Sequence, residues 1–70
     1  MIEQLITDKK NFKLKLVIKE IDQPKGYKHF KFINESFNDN GDLINSSSYD
    51  YFLSKEEVHQ LSQIFWLEAS

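Results

Sequence analysis

Chemistry near neutral pH starts with side chains that move a proton, hold a metal or attack a bond, and this 70-residue chain has few of them. Its two histidines, His29 and His59, are far apart in sequence, and neither belongs to a ligand-spaced pair such as His-x3-His. The absence of cysteine removes thiolate nucleophiles, disulfides and cysteine-held zinc or iron–sulfur centres together. No Ser-His-Asp set can be assembled from spacing. The loop Asn38-Asp39-Asn40-Gly41-Asp42 has a calcium-like composition. Setting Gly41 at the glycine of an EF-hand loop, however, puts Ser36 at the first ligand position and Ser47 where a bidentate Glu belongs, so the loop reads as a turn. No catalytic residue, metal site or cofactor is expected.

A second kind of chemistry is surface recognition. Lys13, Lys15, Val17 and Lys19 share one parity of a strand-like run, and Tyr27, His29, Lys31 and Ile33 share one parity of the next. Ammonium groups interleaved with flat and apolar side chains suit single-stranded nucleic acid, the lysines following phosphates while Tyr27 and His29 offer surfaces to bases. Lys13, Lys15, Lys19 and Lys31 would form that site. All nine positive residues are lysine, so the bidentate fork that arginine offers to phosphate and guanine is missing. The same lysines would also keep a solvent-facing sheet soluble.

Read as a protein interface, the same face offers Tyr27, His29 and Ile33, with Val17, Ile21, Phe37 and Phe52 adding apolar surface inside a lysine rim. Asp39, Asp42 and Asp50, with Glu56 and Glu57, would supply an acidic edge able to dock on a groove that nucleic acid normally occupies. Turn chemistry and helix-dipole compensation are the structural uses of those same acids.

These residues need elements to position them. Phe12 to Ile18 alternates Phe12, Leu14, Leu16 and Ile18 against Lys13, Lys15 and Val17, the period of a strand with one buried face. Gln23-Pro24-Lys25-Gly26 predicts a tight turn, with Pro24 in its second place. Residues 27–37 then return as a second strand, with Phe30 and Phe32 on the face of Phe12 to Ile18. Asn38 to Asp42 predicts another turn, and Leu43 to Leu53 a third strand whose Ser46-Ser47-Ser48 centre is expected to hold a bulge or break the pairing. Ser54-Lys55-Glu56-Glu57 is a capping box, and Val58, Leu61, Ile64 and Phe65 fall at helical steps, with Trp66 and Leu67 extending the stripe. Ile2, Leu5 and Ile6 fit a helical turn or an added strand; the strand is preferred because a meander needs its edge covered. The expected fold is α+β: an antiparallel three- to four-stranded meander with one C-terminal helix packed on the Phe30/Phe32 face.

Length and composition agree with one small domain spanning residues 1–70, 40% hydrophobic and 29% charged. Residues 1–35 carry a surplus of three positive charges and residues 36–70 a surplus of five negative ones, for a net charge of −2. With no apolar run long enough to span a membrane and no signal-peptide pattern at its start, the chain is expected in the cytoplasm and off the membrane.

Two resemblances follow from this layout. The segment Tyr51-Phe52-Leu53-Ser54-Lys55-Glu56-Glu57-Val58-His59-Gln60-Leu61 resembles the strand-into-helix ending of small single-strand-binding modules of the transcriptional-coactivator and PUR-repeat type. That likeness implies nucleic-acid binding through strand lysines. Gly26-Tyr27 followed by Phe30 and Phe32, Leu43-Ile44 with Ser46, Tyr49 or Tyr51, and Trp66-Leu67 resemble certain type I-F anti-CRISPR proteins. That likeness implies an inhibitor that occupies the surface of a nucleoprotein effector complex. The leading expectation is a non-enzymatic, phage or mobile-element protein that blocks a protein partner through Tyr27, His29, Ile33, Asp39, Asp42 and Asp50. A nucleic-acid platform is the alternative, and a homodimer through the lysine face would remove that platform.

Overall fold

The computed structural model describes residues 1–70. Four strands, β1 (Ile2–Lys9), β2 (Phe12–Glu20), β3 (Tyr27–Phe37) and β4 (Leu43–Ser54), precede one helix, α1 (Lys55–Ala69). They form a single antiparallel sheet in the order β1-β2-β3-β4, so every connection joins sheet neighbours. The α+β meander expected from residue alternation is present, and the N-terminal segment adds the fourth strand along the edge of β2. Short strand-to-strand connections explain the order, because each hairpin pairs before a longer loop must close.

Turn chemistry differs from expectation in one detail. The hydrogen-bonded turn after β2 is Pro24–Tyr27, closed by the Tyr27 N–H on the Pro24 carbonyl at 3.2 Å, rather than Gln23–Gly26. The shift puts Gly26, at φ 88°, in the third place of the turn, where a positive φ is needed and only glycine adopts it cheaply. Between β3 and β4, Asn38 Oδ1 accepts from the Asn40 and Asp42 N–H groups, both at 2.9 Å. The Asn11 side chain stitches this end of the sheet to the β1–β2 turn by donating to the Phe37 carbonyl at 2.9 Å.

The serine triplet keeps its pairing, with Ser46, Ser47 and Ser48 opposite Glu35, Asn34 and Ile33. The irregularity of this ladder lies at Ile44, between the pairs Ser36/Asn45 and Phe37/Leu43, and a matching one at Ile6 interrupts β1. The ladder hydrogen bonds come from the backbone, so a weak strand former held between two paired stretches stays in register.

Register divides the sheet into two faces. One carries Leu14, Leu16, Phe30, Phe32, Tyr49 and Tyr51, the Phe32 and Tyr51 rings meeting edge-on at 6.1 Å. The other carries the lysines. Ser54, the last residue of β4, is also the N-cap of α1: its Oγ accepts from the Glu57 N–H at 3.2 Å while Glu57 Oε1 accepts from the Ser54 N–H at 2.9 Å. With no loop residue between strand and helix, α1 cannot swing back across the sheet centre. It stands on the Phe30/Phe32 side nearest β4, and Val58, Leu61 and Phe65 border an apolar groove of about 700 Å³ with the sheet instead of filling it. No residue of α1 is buried, and Val17, on the lysine face, is the one buried residue of the chain at 8% exposure. No helix is long and apolar enough to cross a membrane.

Candidate functional site

The face opposite the groove is built from the alternate residues of three strands. Lys15 opposes Ile33, Val17 opposes Lys31 and Lys19 opposes His29 across β2 and β3. Across β3 and β4, His29 opposes Phe52, Lys31 opposes Asp50 and Ile33 opposes Ser48. Register puts His29, Ile33 and Phe52 on one face and adds Asp50, which the sequence reading had assigned to a separate acidic edge.

His29 is the best-held side chain of the group. Its ring stacks on Phe52 with centroids 4.8 Å apart and planes 14° apart, and its Nε2 lies 2.6 Å from Asp50 Oδ1. The imidazole is 19% exposed while the carboxylate is 46% exposed, so the pair offers a fixed aromatic edge beside an open acceptor. When the imidazole is protonated the contact is an ion pair, and when neutral a hydrogen bond.

Two of the four lysines have carboxylate partners. Lys15 Nζ lies 3.1 Å from Glu35 Oε1, and Lys13 Nζ lies 3.9 Å from Asp8 Oδ1 and 5.5 Å from the centre of the Phe37 ring. Lys19 and Lys31 make no ion pair. The lysine face holds Lys13, Lys15, Lys19 and Lys31 against Glu3, Asp8, Glu35 and Asp50, a charge-for-charge balance. Cross-strand register causes it: Lys13 sits between Asp8 on β1 and Glu35 on β3, which sequence alternation within one strand does not show.

The remaining candidates lie at the ends of the strands. Tyr27, at the first position of β3 opposite Ser54, shares the parity of His29 and also borders a second groove with Ile21 and Gly26 at the β2–β3 turn. Asp39 and Asp42 lie in the β3–β4 turn, where Asp39 Oδ1 accepts from Asn11 Nδ2 at 3.3 Å. About 20 Å of strand separates Lys31, the partner of Asp50, from Phe37, so these two acids form no continuous edge with Asp50. His59 is in contact with Gln63 one turn along the helix, at 3.2 Å. No three His, Asp or Glu side chains converge at a spacing that would hold a metal ion.

Sequence reasoning missed how open the apolar side is. Ile64, Phe65, Trp66 and Leu67 are consecutive, and four residues at 100° steps circle a helix, so they cannot all face one sheet. That signal was present in the chain. Comparison with known proteins finds no matching family model, no matching curated protein and no matching solved structure.

Proposed function

We propose that this chain is a small non-enzymatic binding protein that works by occupying the surface of a protein partner, with His29, Ile33, Asp50 and the adjoining Phe52 at the contact. The observation that carries this reading is the balanced charge of the lysine face. Mixed charge around half-buried aromatic and aliphatic groups is the composition of a protein–protein contact. A phosphate-tracking groove needs uncompensated cations, and here Lys13 and Lys15 already have carboxylate partners. Fixed β-strand positions keep the entropy cost of ordering such a contact low.

The anti-CRISPR resemblance directs the choice of partner to a bacterial nucleic-acid-processing effector complex, met in the host cytoplasm. Capture of a purified type I-F effector on the immobilised chain tests it. The wild-type chain is expected to retain the complex. Ile33→Ser with His29→Ala is expected to lose it while keeping the native circular dichroism, and Asp39→Lys with Asp42→Lys, at the far turn, to keep it. Full capture by the folded Ile33→Ser, His29→Ala variant overturns the site.

The second reading, a single-stranded nucleic-acid module, draws on Lys19 and Lys31, the two cations of this face without an ion pair. Two neutralised phosphates would give a salt slope of about −1.4 in log affinity.

A further inference from the structure

We propose that a second copy of this chain closes the apolar groove, forming a symmetric dimer through the Phe30/Phe32 face of the sheet and the C-terminal half of α1. The chain exposes 5798 Å² of accessible surface. A folded monomer of 8.3 kDa is expected to expose about 4,600 Å². The excess, about 1,200 Å² per chain, exceeds the roughly 800 Å² each partner contributes to a standard interface. Taken from both copies it falls in the range of about 2,000 Å² and above that obligate homodimers occupy. The radius of gyration says the same: 14.5 Å, where a compact chain of this length has about 11 Å.

Large apolar side chains are exposed on the helix beside the groove. Ile64, Phe65, Trp66 and Leu67 are 53%, 65%, 74% and 72% exposed on a helix whose own sheet meets only part of its surface. Beside them lies the groove floored by Leu14, Leu16, Phe30, Phe32, Tyr49 and Tyr51. Each copy therefore carries both an apolar projection and an apolar recess. Such a surface can be self-complementary, as a two-fold contact requires, with residue i meeting residue j and j meeting i. Charge is compatible with the same occupant. No charged residue lines the groove, and residues 61–67 of the helix are uncharged, so the surfaces match each other and offer nothing to a basic or acidic ligand. The lysine face lies on the opposite side of the sheet, so both copies keep their His29 and Asp50 outward and the dimer stands independently of the partner-binding reading.

Sedimentation velocity with light scattering, from about 1 to 100 μM, tests the proposal. A mass of twice 8.3 kDa is expected, with Trp66→Ser dissociating at least about tenfold more readily. Trp66 is strongly exposed in the single chain, so that variant is expected to fold, and circular dichroism checks it. Trp66 is also the one tryptophan, and in the wild-type chain its emission is expected to move to the blue as the dimer forms. A folded wild-type chain that stays at the monomer mass up to 100 μM overturns the proposal. So does a blue shift that appears only on adding phosphatidylcholine vesicles, which assigns the face to lipid.

Discussion

The imidazole of His29 lies flat against the ring of Phe52 across the β3–β4 ladder, 4.8 Å between centroids and 14° between planes. The two residues are register partners, so the sheet itself brings the rings together, and Asp50, two residue pairs along on the same face, holds the imidazole's free edge at 2.6 Å. A recognition surface gains from such an arrangement because the aromatic group is fixed before any partner arrives.

If the stack is an interaction and not mere adjacency, His29→Ala and Phe52→Ala should be less than additive. A double-mutant cycle by urea unfolding is expected to show coupling of about 0.5 kcal/mol, the size of a favourable cross-strand pair. Additive losses would mean that the rings are neighbours without mutual stabilisation.

The junction at Ser54 is expected to be sensitive. Ser54→Ala removes the acceptor for the Glu57 N–H and with it half of the capping box, at a cost of about 1 kcal/mol. In a chain this small that lowers the melting temperature by about 5 °C, and Ser54→Gly, which costs only a few tenths of a kcal/mol, should be milder. Thermal unfolding followed by circular dichroism at 222 nm would check both. Equal and small losses would show that the helix owes its start to other contacts.

The fold was legible because alternation in one strand fixes which side chains share a face. Leu14, Leu16, Phe30 and Phe32 were placed together by parity alone, and the Ser54–Glu57 capping box marked the helix start to the residue. Hidden features depend on how separate elements meet. The Lys15–Glu35 pair lies diagonally across two strands, and the sequence carries no measure of that distance. The groove stayed open because β4 meets α1 with no connecting residue, a property of chain path that adds to the signal of the consecutive Ile64 to Leu67. The turn slipped by one position because both Gln23–Gly26 and Pro24–Tyr27 satisfy the same composition, and only the positive φ of Gly26 separates them.

The balance of charge on the His29 face is most directly tested by fluorescence anisotropy of a labelled oligothymidine about 30 nucleotides long. The titration is run at two salt concentrations with the wild-type chain and with Lys19→Glu combined with Lys31→Glu. A protein-binding face whose lysines are matched by Glu3, Asp8, Glu35 and Asp50 is expected to give no binding at low salt and no difference between the two proteins. Micromolar binding that weakens with salt and disappears in the double variant would contradict that reading and make the strand lysines a nucleic-acid site.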